Sequence, residues 1–258
     1  MSDLRELLRK QRGAKKLTQE QAGAAINVSG SLIAAFECGR AIPQPDTAER
    51  LDELFGTGDE FQRAAEVARE DAQAPWLRPW TENERRSLLL RTFQPNLIPG
   101  LLQTEAYTRA VLRGGRLPDD AVERTTQVRK DRQAATLDRP DPPMLTAIVG
   151  EAALRCGPPE IVKEQLDHLV DVGHRPRVQI LVVPHSAGLH IGLSGPFVLA
   201  TLPGGVWASY LDNQLRGQVV TDPDDLGQLE FAWEVVSGLA LPVDQSRDLI
   251  LKAVEEHG

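Results

Sequence analysis

Residues 17–40 read LTQEQAGAAINVSGSLIAAFECGR, and the order of caps, turns and apolar positions in this stretch decides how the first part of the chain folds. Thr18 is a good helix N-cap and Gln21, three places on, completes the reciprocal capping pattern, so a helix is predicted to start there. It runs through Ala22 and Ala25 to Ile26. Asn27 comes next, one of the few non-glycine residues that enter the left-handed region cheaply, which is how a tight turn is made. Ser29 caps the next helix, whose Leu32, Ile33 and Phe36 can face a core before Cys38-Gly39 stops it. Ala22, Ile26, Ile33 and Phe36 stand at the spacing that packs two helices across each other, which is helix-turn-helix geometry.

The surroundings extend the same pattern. Upstream, Leu4, Leu7 and Leu8 make an apolar stripe on a helix that ends near Gly13, with basic residues opposite. Downstream, Pro43 and Pro45 lead to a fourth helix with Asp46 or Thr47 as cap and Leu51, Leu54 and Phe55 inward, ended by Gly56 and Gly58. A fifth helix is predicted from about Asp59 to Ala72. Residues 1–72 are thus expected to be an all-α, five-helix domain. The segment 73–81 (QAPWLRPWT) reads as a Pro/Trp linker whose Trp76 and Trp80 pack on the second domain.

Residues 82–258 change character. Glu82–Leu90 reads as helical, FQPNLIPG is broken by prolines, and Gln103–Arg113 and Asp119–Leu137 are amphipathic helices. Met144–Val149 and Val178–Val183 are strand candidates separated by a helix from about Glu160 to Val172. Phe197–Leu202 and Val206–Leu211 flank Pro203-Gly204-Gly205, a hairpin signal. Helices over Asp222–Gly238 and Gln245–Glu256 end the chain. The expected architecture is an α+β domain with a small mixed or antiparallel sheet.

Charge sharpens the division. The chain of 258 residues carries 29 basic and 37 acidic side chains, a net of −8, which argues against a protein that coats nucleic acid or anionic membrane indiscriminately. Residues 1–43, however, hold seven basic groups (Arg5, Arg9, Lys10, Arg12, Lys15, Lys16, Arg40) against four acidic ones, a net of +3 that leaves −11 for the remainder. A mildly basic head precedes a strongly acidic body. The two cysteines, Cys38 and Cys156, show neither disulfide nor zinc spacing, and no apolar leader opens the sequence, so a cytoplasmic protein is expected. The uncharged run Val178–Leu211 is interrupted by prolines and glycines and reads as buried strands, not as a membrane span.

The segment 17–40 resembles the Cro/phage-repressor class of helix-turn-helix domains, often called XRE-type. The resemblance covers about residues 4–56 and is carried by Leu17-Thr18-Gln19, Val28-Ser29 and Glu37-Cys38-Gly39-Arg40. It implies that Gly30, Ser31 and Ala35 occupy the positions that contact base edges in the major groove, with Ser29 and Ala34 also among the expected DNA-binding residues. Thr18 and Gln19 at the start of the preceding helix, with Arg12, Lys15, Lys16 and Arg40, are then the expected phosphate contacts. The sequence departs from better-known members in having no Arg, Lys, Asn or Gln on Ser29–Phe36, so strong bidentate base readout is missing. Modest affinity per half-site, reinforced by DNA shape and by dimerisation, is the expectation.

A second resemblance spans roughly residues 75–255. Pro99-Gly100-Leu101-Leu102-Gln103-Thr104 with Tyr107, the run RKDRQ at 129–133, Gly150–Arg155, Gln165-Leu166, Val183-Pro184 and Gly195-Pro196-Phe197 resemble the signature of the WhiJ-like, antitoxin-like regulators of actinobacteria. This implies a transcription regulator whose second domain dimerises and receives a signal or a small partner protein encoded nearby. The double-stranded DNA operator is the other implied partner, and no cofactor, metal or membrane is called for. An interaction module with residual DNA binding is the competing reading.

Other features have plain and sharp readings. Leu97, Ile98, Leu101 and Leu102 are most simply core; alternatively Leu97 and Leu101, with Trp76, Trp80 and Tyr107, form a dimer or partner surface. His185 and His190 lack a nearby Cys or carboxylate, and a pocket joining them to Asp212 is the feature an enzyme would need. Glu151, Asp212 and Glu230 could line a cleft but read as solvated or capping carboxylates. No nucleophile-elbow, phosphate-loop or metalloprotease motif is present, so no enzymatic activity is expected. Asp222-Pro223-Asp224-Asp225 reads as a helix cap, and Cys38 as a helix-end residue before a redox switch.

Overall fold

The computed structural model describes residues 4–72, 77–212 and 217–257. Residues 73–76 of the expected linker, Trp76 among them, lie outside these ranges. The chain forms two compact units, one of Met1–Pro75 with Leu112–Val128, the other of Trp76–Val111 with Arg129–Gly258.

The helical unit opens with α1 (Leu4–Ala14), α2 (Gln19–Ala25), α3 (Gly30–Cys38), α4 (Pro45–Phe55) and α5 (Glu60–Ala72). Its core is built from one stripe on each helix, with Leu8, Ala22, Ile33, Leu51 and Phe61 fully enclosed. The capping box on α2 forms as the sequence indicates: the Thr18 hydroxyl accepts from the Gln21 amide (3.1 Å) and the Thr18 amide donates to the Gln21 side chain (2.8 Å). Asn27 takes φ +59°, and the Ser29 hydroxyl accepts from the Leu32 amide at 3.2 Å. The fourth helix differs from expectation. It starts at Pro45 with Gln44 as cap, because proline suits the first helical position, and Thr47 is buried in the first turn. Asp52 near its end takes on a capping task for the next helix, accepting from the amides of Phe61 (2.8 Å) and Gln62 (3.1 Å).

The second unit contains α6 (Arg78–Arg86), β1 (Leu89–Gln94), a 3-10 turn at Gly100–Leu102, α7 (Glu105–Gly114), α8 (Asp119–Leu137), β2 (Met144–Gly150), α9 (Pro159–Val172), β3 (Val178–Val183), β4 (Phe197–Thr201), β5 (Trp207–Leu211), β6 (Gln218–Val220), α10 (Pro223–Leu239) and α11 (Val243–Glu256). The end of α7 and the first half of α8 fall in the helical unit. The strands form one mixed sheet of order β3-β2-β1-β4-β5-β6, parallel across β1, β2 and β3 and antiparallel from β1 through β6. The α+β class is as the sequence indicates, but the sheet is larger than small.

The extra strands explain the difference. Leu88–Leu90, expected at the end of a helix, instead leads into β1, the central strand. Leu90 faces one core and Phe93 the other, both fully buried, so the run lacks the alternation that marks a half-exposed strand. On one face Leu90, Leu145, Val182 and Tyr210 pack with Trp80 of α6, Leu166 of α9 and Ile250 of α11. On the other, Phe93, Ile148 and Phe197 meet Trp233 and Val236 of α10. No helix among the described residues is long and apolar enough to cross a membrane.

Candidate nucleic-acid interface

The pair α2 and α3 is held by a buried carboxylate. Glu37, on the last turn of α3, accepts from Arg12 Nε (2.6 Å) and Nη2 (3.1 Å) and from Gln19 Nε2 (2.7 Å), while Arg9 donates to its carbonyl oxygen (2.6 Å). Arg12 also donates to the Leu17 carbonyl at 2.8 Å, closing the loop between α1 and α2. Burial alone would raise the Glu37 carboxyl, but the hydrogen bonds from Arg12 and Gln19 and the charges of Arg12 and Arg9 outweigh it and hold it below the usual glutamate range. One side chain thus fixes three helices.

This reassigns two of the expected phosphate contacts. Arg12 and Gln19 turn inward to Glu37, because a carboxylate that is 4% exposed must be partnered or neutralised. Lys15 is exposed but donates to the Leu54 carbonyl and lies 5.9 Å from the Phe55 ring centre. Lys16 and Arg40 are exposed cations, with Lys16 in the left-handed region at φ +53°. Thr18 is exposed yet engaged in its cap.

The outer face of α3 is small and polar. Ser29 and Ser31 are exposed and their hydroxyls are 2.9 Å apart. Ala34 and Ala35 are half-buried further along, and Cys38 is exposed, its thiol donating to the Ala34 carbonyl at 2.6 Å. Gly30 has a different task from the one the resemblance implies: a Cβ there would sit 2.9 Å from Glu20 Cα, so the glycine lets α2 cross the start of α3. A low ridge of hydroxyls and methyl groups, with two serines for donors, is what this face can offer to a groove.

In the second unit, sequence segments far apart meet around residues 98–104. Gln103 donates to the Ile98 carbonyl (2.7 Å), Gln133 to the carbonyls of Gly100 (2.8 Å) and Gln103 (2.9 Å), and Gln165 to Leu102 (2.7 Å). The Ile98 amide donates to the Tyr107 hydroxyl at 3.3 Å. Trp80, Leu101 and Tyr107, candidates for a partner surface on sequence grounds, are interior here; Leu97 is exposed. Trp80 stacks on Tyr210 (5.4 Å between ring centres) and donates to Glu84 (2.8 Å), which takes two bonds from Arg132 (2.6 and 2.7 Å).

His185 and Asp212 are not brought together. His185 follows β3 at one sheet edge and Asp212 follows β5, four strand spacings or about 19 Å across. The His185 amide donates to Glu151 (2.8 Å), and the His190 ring is edge-on to Phe93 at 6.1 Å. Glu230 pairs with Arg91, and Asp222 accepts from the amides of Asp224 (3.0 Å) and Asp225 (3.2 Å) as a cap.

A capped helix, an Asn turn and a second helix locked by a buried carboxylate define a helix-turn-helix domain, and residues 3–65 match the helix-turn-helix domain family. Residues 77–252 match a domain of unknown function, DUF5753, and the chain belongs to that family. Neither the curated proteins nor the solved structures yield a match.

Proposed function

We propose that the chain is a sequence-specific, DNA-binding transcription regulator, most simply a repressor, that acts as a homodimer and whose α+β unit receives a partner protein or a signal. The observation that carries this is the outer face of α3: its inner side is buried and pinned through Glu37, while Ser29, Ser31, Ala34 and Ala35 lie away from that side, and Lys16 and Arg40 of the same unit are exposed cations. Such a face docks in the major groove by its first turns. Two serines and two methyl groups give little readout, so two half-sites on one face of the duplex are needed for useful specificity. The domain order and the residues around Pro99–Tyr107 support membership among the WhiJ-like regulators. On this reading the chain catalyses no reaction and resides in the cytoplasm.

Ser31→Glu tests it. The side chain is exposed, so the fold should persist, while a carboxylate set against base edges and phosphates should remove specific operator binding in an anisotropy titration. Unchanged affinity would remove α3 from the groove.

A second reading, an antitoxin-like interaction module with residual DNA binding, is favoured by one observation. Leu189 (97% exposed) stands just before the 3-10 turn Ile191–Ser194 that packs on α10, and Phe231 (71%) stands on α10 itself; apolar side chains so uncovered suit a protein partner. Co-purification of a small protein encoded nearby, without any DNA shift, would favour that reading.

A further inference from the structure

The strand order places a crevice where the chain changes direction. After β1 the chain moves to β2 and β3 on one side, and it returns to β4 on the other, so the segments leaving β1 and arriving at β4 diverge above the carboxyl end of β1. Open sheets bind ligands at such switch points. A cavity of about 420 Å³ within the α+β unit runs along the face of β1 from Leu90 to Gln94 and reaches that crevice at Leu97, Pro196 and Asp212, a size that suits a metabolite.

Its walls are apolar, from Leu90, Leu97, Leu101 and Val198, with polar groups gathered at one side. Glu84 and Arg132 are closed on each other through two hydrogen bonds. Arg129 is different. Its guanidinium donates to the neutral Gln103 side chain (3.0 Å) and ion-pairs with no carboxylate among the described residues. Burial and the neighbouring charge of Arg132 press it below its ordinary value and the charge of Asp212 offsets this only in part, so an anion set directly against it would relieve a cost. Gln103 itself is held by Ile98 and Thr108, which fixes the guanidinium's supporting oxygen. Asp212, exposed at the rim, opposes a heavily charged anion such as a polyphosphate.

From this arrangement we infer that the cavity binds a small organic monocarboxylate with an apolar body, the carboxylate on Arg129 and the body along Leu90, Leu97, Leu101 and Val198. The assignment gives the signal of the proposed regulator a chemical class; it rests on that reading for its purpose, not for its geometry. Planar, two-pronged donation is what suits Arg129 to a carboxylate.

The test is calorimetric titration of the full chain with decanoate and 4-phenylbutyrate, each against its alcohol, 1-decanol or 4-phenylbutanol. One carboxylate per chain should bind, and each alcohol should bind at least about tenfold more weakly, the difference a charged hydrogen bond makes. Arg129→Gln should abolish that preference and leave the alcohols unaffected. Leu97→Trp, at an exposed rim position, should weaken acids and alcohols alike, and serves if Arg129→Gln does not fold. Equal affinity for acid and alcohol, retention of the preference in folded Arg129→Gln, unaltered binding by Leu97→Trp, or no binding of either acid below about 1 mM would overturn the assignment. DNA shifts on the same samples separate the two ideas. Normal operator binding without probe binding overturns the cavity assignment alone; probe binding without operator binding supports it and removes the regulator reading.

Discussion

Glu37 and Arg12, 25 positions apart, meet through two hydrogen bonds of 2.6 and 3.1 Å, and this pair joins the first helix to the third. Glu37→Gln should destabilise the helical unit by about 2 kcal/mol, below the figure for a fully buried pair because Arg12 keeps contact with water. Since Glu37 is held below the usual range, its stabilisation is complete above the unfolded value of about 4.3 and is lost as pH falls through the lowered folded one. Acid melting curves should therefore be flatter below pH about 4 in Glu37→Gln than in the wild type. Parallel curves would show that Glu37 is not the titrating joint.

Gly30→Ala should loosen the crossing of α2 on α3. The new methyl group would meet backbone of Glu20, which cannot swing aside as a long side chain can. A loss of about 1–3 kcal/mol is expected, read by thermal melting, with weakened DNA binding. An unchanged melting temperature would mean that the crossing has slack.

Lys16 offers a charge that can be removed without harm to the backbone. At φ +53°, glycine fits better than lysine, so Lys16→Gly should melt at the same temperature or slightly higher. If Lys16 meets phosphate, its removal should lower the slope of log affinity against log salt by about one. Arg40→Ala should do the same, whereas Arg12→Ala should cost stability first. A salt slope unaltered by both Lys16→Gly and Arg40→Ala would place phosphate elsewhere.

The tyrosines give an optical test of the α+β core. The chain has two, and both are raised: Tyr107 by burial, then by Cys156, against the hydrogen bond from Ile98, and Tyr210 by burial and the charge of Asp212, to about 12. Native protein should show clearly less tyrosinate absorbance at a pH near 10 than the unfolded chain, in which tyrosine is half ionised. A neutral form favoured by the fold means that stability is present below the unfolded value and falls as pH rises through the folded one. Early ionisation in a still-folded sample would contradict the buried positions.

Much of the fold is legible in the sequence, and the reasons are local. The Thr18 box, the Asn27 turn, the Ser29 cap and the limits of α8 and β3 each depend on residues within a few positions of one another. What escapes is set by distance. β1 is hidden because Leu90 and Phe93 serve opposite cores, and β6 because three residues carry no period. The inward turn of Arg12 and Gln19 depends on a partner 25 and 18 positions away. Arg129 and Gln133 stand out in the sequence as part of RKDRQ, yet only the fold sets them against Gln103.

The sheet order also sets a timetable for synthesis. Thr201 pairs with Trp207, six positions further on, so β4 and β5 can zip together soon after both leave the ribosome. β1 cannot. Its partner Met144 lies 55 positions beyond Leu89, and Phe197 lies 104 beyond Phe93. The most central strand of the molecule must therefore wait, with an apolar segment uncovered, while over a hundred further residues are made. In a living cell this half-made chain is the form most in need of a chaperone, and changes that make Leu88–Phe93 stickier should lower soluble yield before they alter the finished protein.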